Sequence, residues 1–156
     1  MSKLFDIGSV LLLDRRRFVG NPDVRMTRVS DSDSRPIRAY LCFATDAKES
    51  DWIALVGQPK TGVHHVQVDP VDKIGTDPAW SNIQSWTDDP SYIVTIKHSA
   101  IHRVIARPVR QSVKPHIVQS VIVHVNDPKQ VSRRSLPGGK ADPHYRSTLP
   151  DPPAKS

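Results

Sequence analysis

The chain has 156 residues, which suits a single domain with a tail, and a hydrophobic fraction of 37% suggests one modest core but not two. A formal net charge of +6 at pH 7 favours an acidic partner: nucleic acid, an anionic surface or an acidic protein. The lone cysteine, Cys42, excludes an internal disulfide and a cysteine-built zinc site, and no run approaches the ~20 apolar residues of a membrane span, so a reducing, cytoplasmic setting without a membrane partner is expected.

In chain order, Phe5 to Leu13 reads as a first strand, because Val10-Leu11-Leu12-Leu13 is a short apolar run. Arg15-Arg16-Arg17 follows as a dense positive patch at the strand's end, suited to phosphate contact or to a solvated turn. Val19 to Ser34 is a long connection. Within it Val24 to Val29 alternates apolar and basic residues, which predicts a short exposed strand or hairpin arm carrying Arg25 and Arg28.

Arg35 to Thr45 is the central strand. Pro36 fixes its own φ and pushes Arg35 into extended geometry, so the strand starts stiffly. Ile37, Ala39, Leu41 and Phe43 face one way, and Arg38, Tyr40, Cys42 and Ala44 the other. Cys42 reads as a core thiol, since no nucleophile motif surrounds it. After a polar turn, Trp52 to Val56 reads as an antiparallel partner strand. Gly57 to Gly62 breaks it with turn residues, among them Lys60 and Thr61. Val63 to Val68 alternates again, with adjacent His64 and His65 on opposite faces.

Asp69 to Asp89 is punctuated by proline and glycine, and Ile74, Trp80, Ile83 and Trp86 read as one face of a short helix or packed loop, the tryptophans covering the core. Pro90 to Ile96 is a further strand, and Ala100 to Ala106 a turn of helix or another short strand. Val118 to Val125, rich in β-branched residues, predicts a last strand. Many short strands and almost no good helix give a mostly β domain over residues 1–126, barrel-like or a sandwich. Residues 127–156 hold prolines, Gly138-Gly139 and scattered basic residues, and read as a tail that is disordered or draped on a partner.

Chemistry-bearing patterns are few. His98 and His102 are four apart, but no third ligand is evident, so no metal site is assigned. No phosphate-cradling loop, nucleophile elbow or dinucleotide fingerprint occurs, and no cofactor is expected. A basic series does emerge, from Arg15, Arg16 and Arg17 through Arg25, Arg28 and Arg38 to Lys60, with His64 beside it. Basic residues at neighbouring loop ends line a groove for a phosphodiester backbone.

The order of segments resembles the PemK/MazF family of toxin endoribonucleases. Gly8 to Leu13 is similar to the family's opening strand, and Arg35-Pro36 with its apolar strand to the arginine-proline signature. Trp52 to Gln58 with Lys60 is similar to the third strand and its turn, and Pro90 to Ile96 to a later strand. The resemblance covers residues 5 to 105. It implies a small SH3-like barrel of antiparallel strands, a homodimer, metal-independent cleavage of single-stranded RNA, and an acidic antitoxin-like protein partner. It makes Arg35 catalytic. The family's catalytic hydroxyl precedes the turn glutamine, where this chain has Gly57, which leaves Thr61 as the nearby hydroxyl. Two other readings stand beside this one: a non-enzymatic interaction or structural subunit whose tail orders on a partner, and a DNA-binding barrel.

Overall fold

The computed structural model describes residues 6–29, 36–59, 65–89, 92–127 and 140–141. The architecture is mostly β and wholly antiparallel. Its strands are β1 (Ser9–Asp14), β2 (Val24–Met26), β3 (Arg28–Val29), β4 (Ile37–Thr45), β5 (Glu49–Val56), β6 (Gln67–Val68), β7 (Lys73–Ile74), β8 (Ser85–Thr87), β9 (Val94–Lys97), β10 (Ile105–Val113) and β11 (Lys140–Ala141). Three helices join them: α1 (Pro78–Ser81), α2 (Ile101–Val104) and α3 (Pro115–Val125).

Nine of these strands form one sheet in the order β2-β9-β5-β4-β1-β10-β7, with β8 added to β5 and β6 to β8. The β4–β5 hairpin is its centre. Among the described residues no ladder joins β2 to β7, so hydrogen bonds do not close the sheet into a barrel. β3 and β11 form a separate pair, with Lys140 opposite Val29 and Ala141 opposite Arg28. The rest of the segment 128–156 lies outside the described residues.

The central strands are buried on both faces, as their near-continuous apolar runs require. One face gathers Val10, Leu41, Ile53 and Leu55 under Val68, Trp80 and the buried side of α3. The other gathers Leu11, Leu13, Tyr40, Cys42, Trp52 and Ala54 under Phe18, Met26, Ile96 and Ile101. There are thus two apolar layers, where composition suggested one. A single strand pair serves both, so fewer hydrophobic residues suffice than two independent cores would need. A register shift against β5 between Cys42 and Ala44 breaks the alternation, and Phe43 and Ala44 both join the first layer.

Three expectations from sequence are corrected. Val118 to Val125 is helical, because Pro115 starts the helix and Ile117, Val118, Val121 and Val125 make one buried stripe. Tertiary packing here overrides β-branched propensity. Val24 to Met26 is a strand but not an exposed one, since Val24 and Met26 are buried. Trp80, Ile83 and Trp86 share no helical face: α1 is four residues long, Ile83 is exposed and Trp86 lies on β8. Ala100 to Ala106 holds the expected turn of helix, α2, and the chain continues from Ile105 as the long strand β10, which pairs with both β1 and β7.

A polar pair is buried on the side of Ala44, Ile53 and Ile93. Asp51 and Thr95 are fully buried on adjacent strands, and Thr95 Oγ1 donates to Asp51 Oδ1. The Cys42 thiol, also fully buried, is pushed up to about 12 by desolvation, which suits an inert core thiol.

Candidate nucleic-acid interface

One end of the sheet collects the start of β4, the ends of β1 and β5 and the start of β10. Antiparallel pairing brings them there: Leu13 lies opposite Arg38 and Ile105, and Leu12 opposite Ala39 and Arg107. Ala39 in turn faces Leu55, so Leu55, Ala39, Leu12 and Arg107 form one row across four strands. Above this row the segment from β7 through α1 to β8 closes a pocket of about 170 Å³. Leu12, Ala39 and Leu55 line it with Lys73, Trp80, Arg107 and Gln111. Gly75 lets the chain run close beside Trp80. Its φ is +152°, and a Cβ there would stand 3.0 Å from Trp80 Cδ1.

Lys73 is the buried cation of this pocket. Its Nζ donates to the carbonyl oxygen of Trp80 at 3.0 Å, to that of Ile83 and to Ser85 Oγ at 2.7 Å, and lies 4.2 Å from the centroid of the Trp80 ring. Those acceptors take all three of its N–H groups. Burial pushes its pKa down to about 8. Gln111, also buried, has the opposite problem: its Oε1 has no hydrogen-bond partner. A buried acceptor left unmet costs ~1–3 kcal/mol. Arg107 is exposed at the rim.

The arginine turn stands at the same end. Arg15 to Arg17 form a 3₁₀ turn capped by Asp14, and the Arg15 N–H donates to the carbonyl oxygen of Pro36 at 2.8 Å. Arg16 grips the buried Asp14 carboxylate with two hydrogen bonds of 2.9 and 2.8 Å. Those bonds outweigh burial and hold the Asp14 carboxyl below the usual range. Arg17 donates to the carbonyl oxygen of Ile105 at 2.9 Å, tying the turn to β10. Arg38 is half-buried on the face opposite the pocket, on the side of Tyr40 and Cys42.

Arg25 does not join this group. It lies on β2 opposite Thr95, towards the β4–β5 turn, and its guanidinium is paired with Glu49. Arg28 is placed on β3 by its backbone. Arg35, Lys60, Thr61 and His64, which include both residues that the resemblance makes catalytic, lie outside the described residues. Their described neighbours Pro36 and Gly57 are both at the pocket end of the sheet, and Gly57 is exposed there and lines the pocket.

The two histidines spaced as metal ligands serve elsewhere. His98 Nε2 is 2.7 Å from Ser50 Oγ and 3.2 Å from Thr45 Oγ1, at the far end of the β4–β5 hairpin, and His102 is exposed. No group of three or more His, Cys, Asp or Glu side chains able to hold a metal ion occurs among the described residues.

Sequence reasoning missed Lys73, Arg107 and Gln111. Two register shifts against β1 disturb the period-two signal of β10, so its pocket-facing residues do not alternate cleanly. Compared with known protein families, curated proteins and solved structures, the chain has no match in any of the three.

Proposed function

We propose that this protein binds single-stranded RNA at the end of the sheet where β1 and β5 finish and β4 begins. The observation that carries the reading is the junction of the arginine turn with the start of β4, through the Arg15–Pro36 hydrogen bond, beside a pocket rimmed by Arg107. Arginines at a strand-end groove suit a phosphodiester backbone, and a base-sized hollow next to them suits an unstacked strand better than a duplex. The arginine-proline resemblance points the same way. Binding ranks above cleavage, because the position of the family's catalytic hydroxyl is Gly57. Arg35 then holds phosphate, and metal-independent endoribonuclease action through Arg35 and Thr61 is the extension of this reading.

Fluorescence anisotropy with single-stranded RNA, single-stranded DNA and duplex DNA at matched salt tests the binding step. Tightest binding to single-stranded RNA is expected. Preference for duplex DNA would move the assignment to a DNA-binding domain, and no binding to any nucleic acid would leave an interaction subunit. Incubation with a long RNA in EDTA tests the extension: cleavage lost in Arg35→Ala supports it, and an intact RNA removes it.

The interaction-subunit reading, with a tail that orders on a partner, is weighed against one observation: Lys140–Ala141, from the tail segment, pairs as a strand with Arg28–Val29 of its own chain.

A further inference from the structure

The end of the β4–β5 hairpin farthest from the pocket holds a second group of reactive side chains, independent of RNA binding. Thr45 and Ser50 are the last cross-strand pair before the turn. His98 opens a 3₁₀ turn after β9, and its backbone N–H donates to the carbonyl oxygen of Lys48 at 2.8 Å, which fastens it beside that pair. The three side chains close a triangle. Ser50 Oγ is 2.7 Å from His98 Nε2, Thr45 Oγ1 is 2.9 Å from Ser50 Oγ, and Thr45 Oγ1 is 3.2 Å from His98 Nε2. The carbonyl oxygen of Asp46, another acceptor for the Thr45 hydroxyl, is farther, at 3.4 Å. Thr45 is exposed, His98 half-buried and Ser50 buried, so the hydroxyl that solvent reaches is that of Thr45.

We propose that this triangle is an acyl-transfer site for aryl esters of small carboxylic acids, with Thr45 Oγ1 as the nucleophile and His98 Nε2 as the base. A hydroxyl within hydrogen-bond reach of an imidazole is the arrangement that activates a weak nucleophile. The neutral ring carries its proton on Nδ1, which leaves Nε2 as the acceptor. As Thr45 Oγ1 bonds to the acyl carbon, its proton passes to Ser50 Oγ and the Ser50 proton passes to Nε2. The bond from the acyl carbon to the aryl oxygen breaks, and the departing aryloxide takes the proton from the imidazolium. Water then attacks the acyl-Thr45 ester by the same relay, releasing the carboxylic acid and restoring the Thr45 hydroxyl. The Asp46 carboxylate favours the imidazolium. It is held in its charged form first by the backbone N–H groups of Lys48 and Glu49, and it also feels the charge on His98. An aryl ester suits a site this open, because its leaving group departs without a shaped pocket to assist it.

Incubation of the full chain with 4-nitrophenyl acetate, followed by acid quenching and peptide mapping by mass spectrometry, tests the assignment. An acetyl group on Thr45 is expected. Release of 4-nitrophenolate is expected to fall by at least ~10²-fold in Thr45→Val and in His98→Ala, the usual contribution of a positioned base. Thr45→Ser, which keeps the hydroxyl, is expected to stay active. Added imidazole is expected to restore acetylation of Thr45 in His98→Ala, a rescue that a merely structural histidine would not show. Thermal melting checks that each variant folds. Acetyl groups on lysine or on other histidines with none on Thr45 overturn the proposal. Release of 4-nitrophenolate at the same rate by the unaltered protein and by folded Thr45→Val also overturns it.

Discussion

The backbone N–H of Arg15 donates to the carbonyl oxygen of Pro36 at 2.8 Å, which fastens the arginine turn to the first residues of the central strand. The consequence is that neighbouring arginines are not equivalent. Arg16 is spent on Asp14, and Arg107 makes no ion pair among the described residues. Release of counterions by each phosphate contact on a single strand changes the slope of log K against log salt by ~0.7. Arg107→Ala is therefore expected to flatten that slope by about 0.7, and Arg16→Ala by less than half as much. Anisotropy titrations over a series of salt concentrations measure both, and equal slopes for the two variants would remove Arg107 from the phosphate path.

Val121 and Val123 sit two residues apart on α3, one fully buried and one 71% exposed. A strand would put both on one face, and a helix separates them. Val121→Ala is expected to lower stability by ~2 kcal/mol through lost burial and an unfilled cavity. Val123→Ala is expected to change it by less than ~0.5 kcal/mol, since exposed sites tolerate truncation. Urea denaturation followed by tryptophan fluorescence gives both values; similar losses at the two positions would contradict the helix.

This pair also marks the limit of what the sequence reveals. The strands around Leu11, Leu41 and Ile53 are legible because apolar runs bounded by turn residues have few other uses. Val118 to Val125 looks like one more of them, and only the stripe it buries on the sheet makes it a helix. The basic residues at the end of β1 are legible as a patch, but their division of labour is not: the capping of the arginine turn by Asp14, which engages Arg16, is a local turn geometry. The pocket is the least legible feature. Leu12, Ala39, Leu55 and Arg107 are far apart in the chain and meet only through register across four strands.

Lys73 predicts an alkaline dependence of stability. Its folded pKa of about 8 lies below the ~10.4 of an unfolded lysine. Between those values the unfolded chain holds more protons, so stability contributed at this site rises with pH. The rise amounts to at most ~3 kcal/mol across the window, and none of it occurs below about pH 8. Other groups titrate in the same range, so the comparison with Lys73→Met is what isolates it. Urea midpoints from pH 7 to 10.5 are expected to climb more steeply, relative to the variant, for the unaltered protein. Parallel curves would mean that the three acceptors around Nζ offset its burial.

Asp14 predicts the acid limb. The Arg16 guanidinium holds its carboxyl below the usual range, against a smaller opposing push from burial. A carboxyl depressed in the folded state contributes stability that is complete above the unfolded value of ~3.9 and drains as pH falls through the lower folded value. Arg16→Met removes the guanidinium but keeps the length of the side chain. The push from burial is then opposed only by the backbone N–H of Arg16 and the charge of Arg17, and the carboxyl takes up a proton at higher pH than before. The loss of stability is expected to begin earlier on acidification, moving the acid-unfolding midpoint upward, with the curves above pH 6 staying parallel. Far-UV circular dichroism and tryptophan fluorescence against pH measure the midpoint. An unmoved midpoint in Arg16→Met would show that the Asp14 carboxylate is held by the backbone N–H of Arg16, which donates to Oδ1 at 3.0 Å, and not by the guanidinium.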